Sequence, residues 1–436
     1  MEQYSRMKKS DVKWLGDIPE EWGIRVLFQL IDHVKNKNKD LKETNLLSLS
    51  YGKIKRKDIN TPEGLLPESF DGYNIIDEND IVLRLTDLQN DHTSLRVGQA
   101  TERGIITSAY TTVRPLAQVN PVFLYYVLHA YDLIKGFYGM GSGVRQGLNY
   151  DEVKMIKVPY PDLDTQLLIA EYLKTCCEQI DALIDETKTT IEEYKQWKAA
   201  IIEETVTQGL TPNVIMRSSG VEWIEEIPHQ WGVSRLKTLF SFGKGLPITK
   251  DSLVDKGVPV ISYGQIHAKF NTGTSITDDL LRYVPENYLD TNADSLVSMG
   301  DILVADTSED KAGCGNCVYV DRNMKLFAGY HTIILKSKSG NNNKFLAYLF
   351  KSNAWRSQIR TRVSGVKLFS VSKKILNDVS VILPPEVEQE EIVTYLDEKC
   401  GLIDEIISEK NKMILDLEMY KRSLIYEVVT GKRKVV

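Results

Sequence analysis

The stretch QLLIAEYLKTCCEQIDALI, residues 166–184, returns as QEEIVTYLDEKCGLIDEII, residues 389–407. Gln166, Tyr172, Leu173, Cys177, Ile180, Asp181 and Ile184 match Gln389, Tyr395, Leu396, Cys400, Ile403, Asp404 and Ile407 at a constant offset of 223. Farther along, Lys198, Ile202, Glu204, Val206 and Thr207 match Lys421, Ile425, Glu427, Val429 and Thr430 at the same offset, so this is one element used twice without insertion. Within it Leu173, Cys177, Ile180, Ile184, Thr187, Ile191, Tyr194, Lys198 and Ile201 step by four and three. The second copy gives Leu396, Cys400, Ile403, Ile407, Lys410, Ile414, Leu417, Lys421 and Leu424. That spacing puts the residues on one helix face as a heptad seam, and the polar interruptions Thr187, Lys198, Lys410 and Lys421 weaken such a seam while fixing register and partner. Prolines precede each copy (Pro159 and Pro161; Pro384 and Pro385), followed by acids suited to a first helical turn. About 43 residues at ~1.5 Å each make a rod of ~65 Å, longer than a domain of this size is wide, so the two helices are expected to pack on each other.

A second repeat lies upstream of each helix. Val12, Trp14, Ile18, Pro19, Trp22 and Gly23 recur as Val221, Trp223, Ile227, Pro228, Trp231 and Gly232. Two copies of one frame therefore carry two different inserts, which are expected to differ in what they bind. Both inserts alternate strand-like and helix-like segments. Ile81–Leu85 and Ile302–Ala305, each after an Asp (Asp80, Asp301), read as buried strands, and Tyr110–Val113 and Tyr330–Leu335 as another pair. Phe123–Tyr126 and Phe345–Tyr348 open matching helices, and Ser142-Gly143-Val144 and Ser364-Gly365-Val366 are matching loops, each followed by a cation. The expected division is 1–160, 161–208, 209–383 and 384–436, with residues 208–219 as a linker.

The 436 residues exceed one core and suit two domains. No apolar run is long enough for a spanning helix, and the polar start lacks a signal-peptide core. Five cysteines, two of them adjacent, make no disulfide framework, so the expected compartment is a reducing cytoplasm. The net charge of −6 is unevenly spread: Asp162–Glu204 and Glu386–Thr430 each carry −7, leaving +8 for the rest. That remainder is clustered, with seven Lys or Arg and no acid over Lys351–Lys374 and four cations over Tyr51–Lys57. Such clusters offer contacts to phosphate.

The segments Trp14-Leu-Gly-Asp-Ile-Pro-Glu-Glu-Trp22 and Trp223-Ile-Glu-Glu-Ile-Pro-His-Gln-Trp231, the Gly-Ser-Gly-Val-Arg-Gln-Gly-Leu stretch from Gly141 and the Gln-anchored helices together resemble the DNA-specificity subunit of type I restriction-modification systems. The likeness covers essentially the whole chain. It implies an α/β fold: two similar mixed α/β target-recognition domains separated by two long antiparallel coiled-coil helices, with an internal pseudo-twofold repeat. It implies a non-catalytic subunit that reads a bipartite double-stranded DNA site and scaffolds two methyltransferase subunits and the restriction (translocase) subunits. No cofactor is then expected in this chain, and S-adenosylmethionine, ATP and Mg belong to the partners. The second copy departs from the first in having Lys367-Leu368-Phe369-Ser370 where the first has Arg145-Gln146-Gly147-Leu148, which puts equal use of this loop in doubt.

Cations set a reader on phosphates while Arg, Gln, Asn or Ser side chains read base edges. The expected DNA contacts are Lys53, Lys55, Arg56, Arg84, Ser142, Arg145 and Gln146 in the first domain. In the second they are Lys244, Gln265, Lys269, Lys311, Arg360, Arg362 and Lys367. Rival readings are a stand-alone nuclease or methyltransferase and a structural coiled-coil protein. Asn120-Pro121-Val122-Phe123 lacks the second proline of an amino-methyltransferase tetrad and reads as a turn entering a helix. Residues 136–147 are glycine-rich without the Lys-Ser/Thr of a phosphate loop. Asp294 or Asp301 with Glu309 and Lys311 makes only a chance-like metal-nuclease pattern, and Cys314 and Cys317 form one CxxC with no second pair. The structural-protein reading leaves the +8 unexplained.

Overall fold

The computed structural model describes residues 4–39, 41–60, 69–88, 93, 95–140, 147–338 and 340–435. The chain divides into two compact units, residues 1–188 with 411–436 and residues 189–410. Two continuous helices, Leu163–Gln208 and Glu386–Val429, are each shared between the units. Inside the first unit Cys177, Ile180 and Ile184 enter a core with Leu424, Ile425, Val428 and Val429. Inside the second, Ile202 and Val206 enter a core with Ile392, Leu396 and Cys400. The early part of one helix thus meets the late part of the other in both units, which is antiparallel packing. The mixed α/β fold with two long helices stands as expected.

None of the eighteen seam positions is exposed, so one continuous face of each helix is covered. Leu173, Cys177, Ile180, Ile184, Ile191, Leu396, Cys400, Ile403 and Leu424 are buried, while Tyr194, Ile201, Ile407, Ile414 and Leu417 are half-buried. The polar interruptions have partners. Lys421 Nζ lies 2.6 Å from Asp181 in the first unit, and Lys198 Nζ lies 2.5 Å from Asp404 in the second. Lysine and aspartate are repeat mates in both pairs, so the duplicated residues bond to each other's copies. Thr187 returns its hydroxyl to the Leu183 carbonyl (2.7 Å), and Lys410 sits over the Tyr194 ring (5.9 Å).

Each unit holds the same four-stranded antiparallel sheet. In the first the order is Ile31–His33, Thr111–Pro115, Ile81–Leu83, Val97–Gln99. In the second it is Phe240–Lys244, Thr332–Ser337, Ile302–Ala305, Cys317–Tyr319. Val113 faces Ile81 as Leu335 faces Ile302. The central strands Ile81–Leu83 and Ile302–Ala305 are buried throughout, because sheet neighbours and a helix cover them. The aspartates before them are turn residues: Asp80 accepts from the Asp77 amide (2.8 Å) and Asp301 from the Ser298 amide (2.9 Å). The second unit adds another four-stranded sheet, with Val258–Ile261 parallel to Leu326–Ala328.

The segment after the sheet and the long helix are fastened by a repeated glutamine in each unit. Asn120 caps the helix Pro121–Leu133 by accepting from the Phe123 amide (2.9 Å), as the turn reading of this tetrad expects. Asn342 caps Asn343–Lys351 in the same way. Buried Gln166 accepts from the Asn120 amide (2.9 Å) and donates to the Pro161 carbonyl (2.9 Å). Buried Gln389 accepts from the Asn342 amide (3.0 Å) and donates to the Pro384 carbonyl (2.8 Å). Only a side chain with both a donor and an acceptor satisfies that buried backbone pair. The motif tryptophans Trp22 and Trp231 are buried, and each receives the end of a long helix. Gly431 (φ +71°) leaves 2.2 Å between a would-be Cβ and Pro19, with Trp22 next to it, and Gly209 (φ +79°) stands likewise against Glu388 and Trp231.

The expected linker of residues 208–219 is shorter than the sequence suggests. Gln208 closes the first long helix, and Met216–Val221 is a strand paired with Ile224–Pro228. Its Met-Arg-Ser-Ser start has no apolar alternation, and pairing alone makes it a strand. No helix among the described residues is long and apolar enough to cross a membrane.

Candidate nucleic-acid interface

One end of the second unit gathers most of the cations expected there. Strand Thr307–Ser308 pairs with Phe369–Ser370, and the Val371 amide donates to the Asp306 carbonyl (2.8 Å), which brings the 364–368 loop beside the end of a central sheet strand. A Cβ on Gly365 would lie 2.0 Å from the Leu368 carbonyl oxygen, so only glycine lets this loop fold back on itself. Val366 is 94% exposed at its tip, next to exposed Lys367. Arg360 donates to the Ala312 carbonyl (2.8 Å) and to Asn353 (3.1 Å), and Lys311 lies 5.9 Å from the Phe369 ring. Arg362 and Lys269 are exposed, and Lys244 is exposed at its strand end. Gln265 is partly committed, since its oxygen accepts from the Ser262 amide (3.1 Å).

The basic run from Lys351 to Lys374 is less of a surface than its composition suggests. Lys351 turns inward onto the Thr272 carbonyl, and burial pushes its pKa down to about 8. Arg356 donates to the Phe350 carbonyl (3.0 Å) and to Asn316. Both belong to the fold. Unexpected in the sequence is a group of rings at the same end: Tyr263 stands edge-on to His267, Tyr330 and His331 at 6.2, 5.5 and 5.4 Å. Histidines scattered along the chain gave no sign of this, because the two segments, 263–267 and 330–331, meet only in the fold.

In the first unit Lys53, Lys55 and Arg56 lie on the hairpin Leu47–Ser50/Lys53–Arg56. Lys53 reaches Asp181 of the long helix (3.3 Å) and Arg56 pairs with Glu102, while Lys55 is exposed. The Lys53 ammonium is solvent-exposed and its single pair is weak enough to exchange for phosphate, whereas Arg56 grips Glu102 through both Nε and Nη2. Arg84 is half-buried, and its main chain is held by Arg96 in both directions: the Arg84 amide donates to the Arg96 carbonyl (2.9 Å) and its carbonyl accepts from the Arg96 guanidinium (3.1 Å). Fully buried Arg96 also donates to the Thr86 (2.8 Å) and Asp87 (3.2 Å) carbonyls and to the Tyr138 hydroxyl (2.9 Å). The expected contacts Ser142, Arg145 and Gln146 lie outside the described residues.

Of the rival metal pattern, Asp301 has its carboxylate on the Ser298 amide, and burial pushes it up. Among the described residues no group of three or more His, Cys, Asp or Glu is placed to hold a metal. Cys314 and Cys317 are buried, and burial pushes the Cys317 thiol up to about 11, so neither is poised as a thiolate.

Duplicated four-stranded sheets fastened to two long shared helices define a class of fold. It is found in a chain of a solved structure titled for complex assembly and conformational transition of the type I R-M system (TM-score 0.68, 14% identity, 94% of this chain and 98% of that one). It is found also in the HsdS subunit from Thermoanaerobacter tengcongensis (TM-score 0.51, 14% identity, 95% and 98% covered). Residues 228–415 match the family described as the type I restriction modification DNA specificity domain. The whole chain is similar to the type I restriction enzyme MjaVIII specificity subunit of Methanocaldococcus jannaschii, with 24% identity over 429 residues, 96% of this chain and 94% of that protein. The resemblance to type I specificity subunits therefore stands, over 96% of the chain.

Proposed function

We propose that this chain is the sequence-reading subunit of a type I restriction-modification complex. Each unit reads one half of a bipartite double-stranded DNA site, and the long helix pair sets the spacing between the halves. The observation that carries this reading is one frame present twice with different chemistry on its equivalent ends. The +8 charge outside the helical blocks supplies the phosphate attraction that such reading needs. The acidic exposed faces of the helices repel DNA and are assigned to two methyltransferase subunits, through which restriction subunits join. Methyl transfer and cleavage, with S-adenosylmethionine, ATP and Mg, belong to those partners, and the complex works in the cytoplasm.

Binding by the assembled complex should weaken steeply with salt. Six or more phosphate contacts correspond to a loss of about a thousandfold or more between 50 and 200 mM. Lys367→Ala or Lys55→Ala should each make the log–log slope shallower by about one and weaken all sequences alike. Affinity that is flat with salt would contradict the proposal, as would cleavage or methylation of DNA by the purified chain alone with Mg and S-adenosylmethionine.

A further inference from the structure

His331 occupies the tip of the tight turn that precedes strand Thr332–Ser337, with φ +55°. Side chains other than glycine are uncommon there, and such backbone outliers concentrate where a side chain must be aimed. The turn itself is firm: Thr332 donates its hydroxyl to the Gly329 carbonyl (2.6 Å), and the Asp306 amide donates to the His331 carbonyl (3.0 Å). The imidazole is exposed, and its Nδ1 lies 3.1 Å from the Asp306 carboxylate, which also accepts from the Thr307 hydroxyl (2.8 Å). A carboxylate only accepts, so in the neutral imidazole Nδ1 carries the proton and Nε2 presents a lone pair. Among the described residues Nε2 takes no hydrogen bond. Tyr263 and Tyr330 stand edge-on to the ring at 5.4 and 6.0 Å and limit how it can turn.

The first copy has nothing comparable at the same places. Sheet register aligns Ile81 with Ile302 and Val113 with Leu335. Leu85 then stands where the second copy has Asp306, and the Leu148 amide donates to the Leu85 carbonyl as Val371 does to Asp306. Ala109 stands where the second copy has His331. An aimed imidazole has thus been placed on one copy of a shared frame, beside the cationic loop carrying Lys367.

We propose that His331, oriented by Asp306, reads a base edge in the half-site recognised by the second unit. Its Nε2 accepts a hydrogen bond from an exocyclic amine of adenine or cytosine in the major groove, where those amines are the donors on display. The inference rests on the functional reading given above. The test uses the full chain assembled with its methyltransferase partners, and duplexes in which each base pair of the site is replaced in turn. The wild-type complex should prefer one base pair, read through the amine of its adenine or cytosine, at one position of that half by about tenfold. His331→Ala, and His331→Gly, which suits the left-handed turn and has no side chain to accept from the base, should both flatten that position and leave every position of the other half unchanged. Asp306→Asn, which frees the proton to move to Nε2, should weaken or invert the preference at the same position. Undiminished discrimination throughout that half in both His331 variants would overturn the inference. A wild-type complex with no base preference in that half would instead overturn the functional reading, and this inference with it.

Discussion

Inserting one heptad after Ile184 and another after Ile407 should shift the preferred spacer of the recognised site by about three base pairs. Seven residues lengthen a helix by ~10 Å, and duplex DNA advances ~3.4 Å per base pair. The insertion points suit the test, because both polar locks survive it. Asp181–Lys421 stays in the first unit and Lys198–Asp404 in the second, with no member separated from its partner. A heptad also keeps the apolar seam in phase. Three added pairs turn one half-site by roughly 100° about the duplex, so some affinity should be lost on the new site and much more on the original. The check is a binding series over spacers from three pairs shorter to six longer. A smaller shift would mean that the helices run oblique to the duplex. An unchanged spacer would move that job to the recognition domains or the partner subunits.

The largest effect on stability is expected from Arg96→Met. The native guanidinium is fully buried and serves the carbonyls of Arg84, Thr86 and Asp87 and the hydroxyl of Tyr138, with the ring of Tyr138 5.1 Å beneath it. Nearby Asp132 takes the Arg96 amide (2.6 Å), and burial pushes its carboxyl up to about 6. Methionine fills much of the space but leaves those acceptors without a donor, a loss of about 3–5 kcal/mol. For a unit of this size that lowers the melting temperature by roughly 10 °C. Because Arg96 holds the segment after strand Ile81–Leu83, discrimination should fall in the first half-site only. A variant that melts within a degree or two of wild type would show that water replaces the guanidinium.

How far the sequence could be read depends on how local each interaction is. The helix pair was legible because a seam is a periodic property of one segment, and the Asn120 cap because its tetrad is contiguous. Lys198 and Lys421 stood out as breaks in the seam, yet their partners Asp404 and Asp181 lie on the other helix. Gln166 and Gln389 were visible as repeats, but their role as buried clamps depends on two backbones meeting in the fold. Composition misled where a cation turns inward: Lys351 and Arg356 counted toward a basic surface and instead tie the core together. Arg96 is silent in the sequence, since nothing in its neighbouring residues separates a buried arginine from an exposed one. The Asp306–His331 pair joins two segments through the sheet, so neither residue alone could suggest it.

Two copies of one frame should read two halves of a site independently. Exchanging residues 24–158 for the equivalent insert of a relative with a different target tests it most directly, because Gln166, Trp22 and the helix pair all lie outside the exchanged segment. The site recognised by the assembled complex would be determined by selection from random duplexes, for the parent and the exchanged chain alike. One half of the site should change to that of the donor while the other half keeps its sequence. A change in both halves, or in neither, would contradict independent reading.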